Sequence, residues 1–349
     1  MNRQELEAKV HGGEPVRGED CANLDLSGAN LSGGIFEEVS FAGSKLAGAT
    51  IKESVVTGCD FSGCDLGEVD MHLAVVNRCS FKGASFTRAK LVMATFAECD
   101  VSDVKFAGGE LVGTGFVSCR LDGANFAGAN LDRGRALQSS LAGVSFAGAN
   151  LDKTTFYGAD LTSTDFRGAR MNMTILFECK LGAKDFSGMQ FFSCQFTEAD
   201  LTGADFSGSD ITQCNFTGAK LARARFSEAK GPMCLFANAD LHKAVFHGAV
   251  LPQSIFADAD LSEAELTKAM LEQCIFSQAR CVGTRFGAAV LKYADFGHAD
   301  LTRADFSHAG LFRTRFHKTI EQDTRFTDRS LALGNDPELA DAEDFTPEH

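Results

Sequence analysis

The sequence lacks any apolar run long enough to span a membrane, and its first residues, MNRQELEAKVHGGEP, contain no apolar core of a secretory signal peptide. It also lacks tryptophan and has only 2 tyrosines and 5 prolines, although it has 31 phenylalanines and 35 glycines. The 12 cysteines of a long chain without a signal peptide favour a reducing compartment over a disulfide framework. We therefore expect a cytoplasmic protein without a membrane span.

Catalytic and cofactor motifs are absent as well. The sequence has no P-loop, no dinucleotide fingerprint, no H-E-x-x-H and no C-x-x-C. The histidines predicted to face outward, such as His242, His247, His298 and His308, are scattered along the chain. Since catalysis usually needs convergent groups in a pocket, these absences predict a protein that is not an enzyme, with no cofactor, no catalytic residues and no metal site.

What the chain does contain is a large apolar residue at every fifth position. The register runs from Leu26 to Phe316, which is 59 units without an insertion or deletion. Only Ala136, Gly231 and Cys281 are small at the central position. A spacing of five fits neither the helical period of 3.6 nor the strand period of 2. The residue two before each centre is usually small, and Asp or Asn often precedes the centre directly, as in FTEADLTGADFSGSDITQCNF at residues 196–216.

This pattern resembles the pentapeptide-repeat family, whose consensus is A-(D/N)-L-x-x. The resemblance implies an all-β fold, a right-handed four-sided parallel β-helix in which four pentapeptides make one coil. The 59 units then give about fifteen coils and a length of about 70 Å at a strand spacing of roughly 4.8 Å. From Phe86 to Phe316, every second centre is Phe in 21 of 24 cases, which places Phe on two opposite faces of the core.

The two ends depart from the repeat. Residues 1–22 are predicted to form an N-terminal cap, with a short helix over residues 2–10 that has Asn2 as N-cap and Glu5 reaching back to it. Residues 23–319 form the predicted β-solenoid. Residues 320–349 are predicted to form an end coil and a flexible, disordered tail, because residues 335–349 hold six acids and no Lys or Arg.

Two places strain the repeat from within. Lys184 and Met189 occupy positions that elsewhere hold small residues, so they are expected to swell a corner or bend the chain outward. Gly231 leaves a central position empty, and Pro232 is expected to remove a donor from the backbone ladder. Either a local kink with a groove or simple tolerance at a corner fits this second place.

Most cysteines fall in the small inward position, and several are twenty residues apart, as in the column Cys59, Cys79, Cys99 and Cys119. Zinc needs four convergent ligands, which a straight column on one wall does not supply. We therefore interpret these cysteines as small hydrophobic residues of the core.

A partner-binding surface is suggested by apolar residues at the position before the centre, which is usually polar. Two columns with a spacing of twenty are predicted to meet at one edge and form a contiguous patch. A β-branched strand surface that simply favours sheet pairing is the alternative. The predicted partner-binding residues are Leu235, Val250, Ile255, Met270, Ile275 and Val290.

The net charge of the repeats helps to choose between DNA mimicry and a protein-interaction scaffold. Some pentapeptide-repeat proteins mimic DNA and bind gyrase in quinolone protection, and a 70 Å length of duplex would carry about 40 charges. Of the net charge of −14, residues 1–25 carry −3 and residues 335–349 carry −6, so the repeats carry only −5. We therefore favour a rigid protein-interaction scaffold with a protein partner, a possible homodimer and no direct nucleic-acid binding, over gyrase mimicry as the alternative.

The opening HGGEPV, followed by RGEDCANLDLSGANLSGG, is similar to bacterial pentapeptide-repeat proteins associated with type VI secretion clusters. This second, less specific resemblance implies an accessory or adaptor protein, or an immunity-type protein, of such a cluster.

Overall fold

A computed structural model describes residues 1–344 and confirms the predicted parallel β-helix, with about 16 turns in total. The chain divides into two compact units, Met1–Cys179 and a second unit that begins at Lys180. In each unit, neighbouring coils pair in parallel with a spacing of twenty residues, for example at Asp60↔Ser80 and Asp240↔Asp260. Four pentapeptides therefore make one coil, as the repeat predicts.

The first unit begins with helix α1, Arg3–His11, followed by nine short strands that pair in chain order into one parallel sheet. The strands are β1 Val16–Arg17, β2 Ile35–Glu37, β3 Val55–Thr57, β4 Val75–Asn77, β5 Thr95–Ala97, β6 Gly115–Val117, β7 Arg135–Leu137, β8 Thr155–Tyr157 and β9 Ile175–Phe177. The other walls of this unit are built from single β-bridges between coils.

The second unit is built almost entirely from such single bridges. Its two short strands, β10 Asp305–Phe306 and β11 Arg325–Phe326, pair in parallel near its end. Helix α2, Pro337–Glu343, follows the last coil.

The backbone hydrogen bonds of one pentapeptide, residues 61–65, show why the repeat has five positions. The N–H of the central Phe61 donates to the Ser80 carbonyl of the next coil at 2.7 Å, and the N–H of Asp65 donates to the Ser44 carbonyl of the previous coil at 3.1 Å. Between these ladder bonds, the N–H of Cys64 closes a turn on the Phe61 carbonyl at 3.1 Å. The residue two after the centre, here Gly63, has a φ of 66°, as a type II turn requires.

The aspartate before the centre has a role that the sequence did not reveal. Its carboxylate accepts the N–H of the residue after the centre, as in Ser62 N–H to Asp60 Oδ1 at 2.8 Å. This N–H has no place in the ladder, so the side chain satisfies a backbone donor that would otherwise need water.

The core contains the two opposite Phe columns that the alternation predicts. Rings twenty residues apart stack, as in Phe216 and Phe236, whose centroids are 5.0 Å apart with an interplanar angle of 3°. Rings ten residues apart meet edge to face, as in Phe206 and Phe216 at 5.6 Å and 82°. Both arrangements suit the charge distribution of aromatic rings, so each Phe column braces the other.

The two ends differ in how well they were predicted. The Asn2 side chain accepts the N–H of Glu5, and the Glu5 carboxylate accepts the N–H of Asn2, which confirms the predicted capping box of α1. The prediction of a disordered tail is wrong for residues 337–343, because these form helix α2 with Asp336 as N-cap and Pro337 in the first turn. The rest of that prediction, for residues 345–349, lies outside the described residues.

Of the two alternatives for Gly231 and Pro232, the structure shows simple tolerance rather than a kink with a groove. The N–H of Gly231 donates to Val250 at 2.9 Å, and the Pro232 carbonyl accepts from Gln213 at 3.0 Å, so the ladder continues. Proline is tolerated because the N–H at this position takes no part in the ladder. The space beside Gly231 is filled, since an added Cβ would lie 2.5 Å from Ile211 Cγ1 and 2.8 Å from Cys234 Sγ.

The irregularity expected near Lys184 does occur. The usual turn after the centre is replaced by a tighter one, in which the N–H of Lys184 donates to the Gly182 carbonyl at 2.9 Å. Lys184 and Met189 are half-buried, whereas the small residues at equivalent positions are generally buried. The turn at Lys184 therefore departs from the repeat, whereas Met189 keeps the usual turn, with its N–H donating to the Phe186 carbonyl at 3.2 Å.

Candidate interaction surfaces

The predicted binding residues form two hydrogen-bonded columns on the second unit. Leu235 pairs with Ile255 and Ile255 with Ile275, while Val250 pairs with Met270 and Met270 with Val290. Met270 and Ile275 are 41% and 38% exposed, and the other four are half-buried. We call these six residues the edge patch.

The corner between the two columns adds further apolar surface that the sequence reasoning missed. The corner positions Met233, Gln253, Gln273 and Tyr293 follow one another in successive coils, and the amides of Gln253 and Gln273 are hydrogen-bonded at 2.8 Å. Met233 and Tyr293 are 44% and 45% exposed. The period of twenty contains this signal, because the corner residues of successive coils are twenty positions apart.

In the column of Leu235, Ile255 and Ile275, a polar pair lies at each end of the edge patch. Before Leu235, the Asn215 amide donates to Gln195 at 3.0 Å, and after Ile275, the Asp295 and Arg315 side chains pair at 3.3 Å. A confined apolar patch with a polar border is typical of a protein-binding surface. The columns match the predicted geometry, whereas their role in binding stays a prediction.

Several acidic side chains on the other walls pair with bases one coil away. Asp205 pairs with Arg225 at 3.4 Å, Asp260 with Arg280 at 3.2 Å, and Glu265 with Arg285 at 2.7 Å. Each exposed pair adds little stability. Together they prevent these walls from presenting the uninterrupted negative charge of a DNA backbone.

The closest resemblance to a catalytic arrangement lies on a wall of the second unit. His247 Nδ1 is 2.8 Å from Thr267 Oγ1, which itself donates to Glu265 Oε1 at 3.1 Å. Since the hydroxyl hydrogen points to Glu265, the histidine must donate to Thr267 rather than accept its proton. This arrangement does not activate the threonine as a nucleophile.

A second cluster has metal-ligand chemistry and lies where α2 docks. The ligand atoms of His298, His317 and Glu343 all lie within 4.8 Å of one another. However, His317 Nδ1 accepts the N–H of Asp336 at 3.1 Å, which assigns the ring proton to Nε2, the nitrogen facing Glu343. Lys318 Nζ also lies 3.2 Å from the Glu343 carboxylate. The cluster is therefore arranged to hold a carboxylate rather than a metal ion.

The cysteine columns have a polar role in the first unit. All twelve cysteines are free and buried. On the wall formed by β1–β9, the N–H of Cys99 donates to Cys119 Sγ at 3.4 Å, and the N–H of Cys119 donates to Ser139 Oγ at 3.0 Å. The interpretation as purely hydrophobic residues was therefore incomplete, because here the sulfur replaces the carbonyl that closes the turn elsewhere.

The family model for pentapeptide repeats matches eight copies along the chain, within residues 25–63, 64–103, 99–135, 139–176, 176–208, 194–230, 237–278 and 279–317. The chain belongs to the pentapeptide-repeat family. No curated protein sequence matches it. No helix among the described residues is long and apolar enough to cross a membrane.

Solved structures of pentapeptide-repeat proteins also align with the chain. HetL from the cyanobacterium Nostoc sp. strain PCC 7120, a protein involved in heterocyst differentiation regulation, is 21% identical, covering 76% of this chain and 88% of its own, with a TM-score of 0.22. QnrB1, a plasmid-mediated fluoroquinolone resistance protein, is 19% identical over 68% of this chain and 90% of its own, with a TM-score of 0.25. A pentapeptide-repeat protein from the Arabidopsis thaliana thylakoid lumen is 31% identical over 30% of this chain and 66% of its own, with a TM-score of 0.12. The family assignment rests on the repeat itself.

Proposed function

We propose that this pentapeptide-repeat protein is a non-catalytic scaffold that binds another protein through the edge patch. The observation that carries the proposal is the contrast on the second unit between ion-paired walls and one apolar edge with polar borders. A partner that covers Met270 and Ile275 removes exposed apolar surface from water without having to desolvate an ion pair.

The same reasoning ranks the alternative function lower. A DNA mimic that binds gyrase needs a continuous negative surface, whereas acids such as Asp205 and Asp260 pair with bases in the next coil. We therefore expect the protein to leave gyrase supercoiling activity unchanged when it is added in excess.

For the cellular setting, we propose an accessory, adaptor or immunity-type protein of a bacterial type VI secretion cluster, acting in the cytoplasm. This part rests on the similarity of the opening HGGEPVRGEDCANLDLSGANLSGG to members of such clusters. The partner would then be a secretion or effector protein.

The test is a pull-down from the native cell extract, with the intact protein and the double variant Ile255→Asp/Met270→Asp in parallel. Docking of the partner would bury the two introduced carboxylates without partners, which opposes binding. We therefore expect the variant to capture at least tenfold less of the partner than the intact protein. The matched control is Val245→Asp, which introduces the same charge at the equivalent position of another column.

Identification of the captured protein by mass spectrometry distinguishes the scaffold proposal from gyrase mimicry. A secretion or effector protein that the intact chain and Val245→Asp retain, and the double variant loses, supports the proposal. Gyrase subunits captured equally by all three proteins would overturn the scaffold proposal in favour of mimicry. An unchanged partner of any other kind would show that the edge patch is not the binding site.

A further inference from the structure

The backbone ladder between two coils of the first unit is interrupted at one corner. In the coil before it, the N–H groups of Ser118 and Leu121 each donate to a carbonyl of the following coil at 2.9 Å. The equivalent N–H groups one coil later are those of Gln138 and Leu141. Neither of these meets an acceptor in the part of the chain that the structure describes. Two neighbouring coils are therefore locally parted.

We call the gap between residues 138–143 and residues 158–163 the slit. Pairing is intact on both sides of it. Strands β7 and β8 pair just before the slit, and just after it the N–H of Phe146 donates to the Asp165 carbonyl at 2.8 Å. The slit is thus a local opening in a regular solenoid and not the end of one.

One residue explains why the ladder opens here. On the wall formed by β1–β9, the N–H of Cys119 donates to Ser139 Oγ at 3.0 Å, so a side chain of the next coil supplies the acceptor. For the N–H of Ser139, the corresponding residue of the next coil is Ala159, whose side chain has no acceptor. Within residues 1–344, nothing accepts the Ser139 N–H.

Three backbone N–H groups therefore point into the slit, those of Gln138, Ser139 and Leu141. The φ of Gln138 is 51°, close to the 53° of its equivalent one coil earlier, so the backbone keeps the direction that the repeat gives it. The N–H of Ser140 still donates to the Cys119 carbonyl at 3.0 Å, which holds this coil against the preceding one. The three donors consequently face the following coil across the slit.

Polar side chains surround these donors, in a groove of about 560 Å³. Of the residues that line the groove, only Asp160 is charged, and its Oδ1 accepts the Thr162 hydroxyl at 2.6 Å. Gln138 and Ser140 are exposed, and their side chains make no hydrogen bond to any described residue. Their amide and hydroxyl groups are free to bind a ligand in the groove.

The chemistry of the slit selects an uncharged ligand that both accepts and donates hydrogen bonds. An apolar group would leave the three N–H groups without acceptors. The carboxylate of Asp160 repels an anion, and the positive ends of the N–H dipoles repel a cation. A hydroxyl group can accept from the Ser139 or Leu141 N–H and donate to Asp160, so it satisfies both kinds of partner.

The width of the slit distinguishes a sugar from a peptide strand, which also carries donors and acceptors. The N–H of Gly143 donates to Ser163 Oγ at 2.9 Å, so one serine side chain bridges the two coils at this end. A strand inserted between the coils would need them about 9.6 Å apart, twice the ladder spacing. The hydroxyl of a sugar ring needs no more room than the serine hydroxyl does.

We propose that the slit is a binding site for a neutral carbohydrate, whose hydroxyl groups accept the N–H groups of Gln138, Ser139 and Leu141 and donate to Asp160. This inference concerns the first unit and does not depend on the edge patch, which lies on the second unit.

The first measurement tests the slit itself, by amide hydrogen exchange of the full chain followed by NMR. The N–H groups of Gln138 and Leu141 should exchange at least tenfold faster than those of Ser118 and Leu121, which belong to the ladder. Equal protection of the two sets would show that the slit is closed in solution, and it would overturn the inference.

The second measurement adds ligands to the full chain and follows its amide signals. The probes are neutral oligosaccharides of glucose, galactose, mannose and N-acetylglucosamine, with sulfate as the anionic comparison. Saturable shifts confined to residues 138–143 and 158–163 with at least one sugar support the proposal. Absence of such shifts with every sugar overturns it, and so do larger shifts of the same signals with sulfate.

A substitution that closes the slit links the two measurements. Ala159→Ser supplies the acceptor that the Ser139 N–H lacks, so it should slow exchange of that N–H and weaken sugar binding at least tenfold. The matched control is Ala239→Ser, which places the same hydroxyl at the equivalent buried position of the second unit and should change neither result. Binding that Ala159→Ser leaves intact would overturn the assignment to the slit.

A second substitution tests the contact with the sugar while leaving the ladder alone. Asp160→Ala removes the proposed acceptor of a sugar hydroxyl, so affinity should fall at least fivefold. Asp240→Ala removes the aspartate of the same column in the second unit and should leave affinity unchanged. Circular dichroism checks that each variant retains the fold. Equal affinity of the two variants would contradict the proposed site.

Discussion

At the residue scale, the pentapeptide consensus is a set of hydrogen-bonding requirements. The small residue leaves room at the corner, and the aspartate before the centre accepts an N–H that the ladder does not use, as Asp60 does for Ser62. The position two after the centre has positive φ whether or not it is glycine: Gly208 has a φ of 66° and Glu228 of 57°. These roles explain why the chain tolerates variable outward residues but keeps one register.

A prediction at this scale concerns Cys119, whose Sγ accepts the N–H of Cys99 at 3.4 Å. Cys119→Ala removes the acceptor and leaves a buried N–H unsatisfied, so it should reduce the free energy of unfolding by about 1–3 kcal/mol. Urea denaturation followed by circular dichroism measures the loss.

Cys119→Ser is the matched control for this substitution. The serine at position 139 already accepts the equivalent N–H in the next coil at 3.0 Å, so a serine at position 119 should retain most of the stability. If alanine and serine cost the same, the sulfur acts only by filling space.

At the element scale, the two helices show how local and distant signals differ. Helix α1 was predicted because Asn2 and Glu5, which cap it, are three residues apart in the sequence. Helix α2 also has a local signal, Asp336 followed by Pro337, but its acidic composition favoured disorder. What holds it are His298, His317 and Lys318, whose contacts with Glu343 join residues 25 to 45 positions apart.

A prediction for α2 follows from the pKa of Glu343. Partial desolvation opposes ionisation, but hydrogen bonds from His317, Lys318 and His298 outweigh it and lower the pKa from 4.5 to about 2. Because the pKa is lowered on docking, the contribution of Glu343 is complete above pH 4.5 and is lost as the pH falls toward 2. NMR amide signals of Ala340 and Ala342 should therefore shift toward disordered values over that range.

Two variants test the same contact at neutral pH. Glu343→Gln keeps the shape but removes the charge, and it should release α2 from the last coils. Glu338→Gln, an exposed residue of the same helix, should leave it docked. Equal amide protection in both variants would contradict a role for the Glu343 contacts.

At the scale of the whole molecule, the repeat buries reactive thiol groups as well as apolar side chains. All twelve thiols are buried, and burial raises the pKa of Cys64 and Cys179 to about 11 and that of Cys234 and Cys274 to about 12. A thiol whose pKa is raised is protonated and unreactive at neutral pH.

Because all twelve thiols are buried away from solvent, we expect none of them to react with a thiol-specific reagent at pH 8 within minutes in the native protein, and all twelve to react in concentrated guanidinium chloride. A spectrophotometric thiol titration measures both numbers. Rapid reaction of several thiols in the native protein would show that coils open on this timescale.

The sequence by itself determined the register, because a period of five held for 59 units places one large central residue in each unit. The resemblance to the pentapeptide-repeat family then implied the four-sided fold. The sequence also determined the two Phe columns, the capped helix α1 and the columns of the edge patch, since each follows from spacing along the chain. These features depend on residues that are close in sequence or related by the period of twenty.

The tertiary structure alone decided which backbone groups lack a partner and which distant side chains meet. Pro232 is harmless because its position takes no ladder bond, and Gly231 leaves no gap because Ile211 and Cys234 fill the space beside it. The docking of α2 likewise depends on which groups approach one another in space. Hydrogen bonds and packing act over a few ångströms, so a one-dimensional pattern records them only where the repeat makes neighbours predictable.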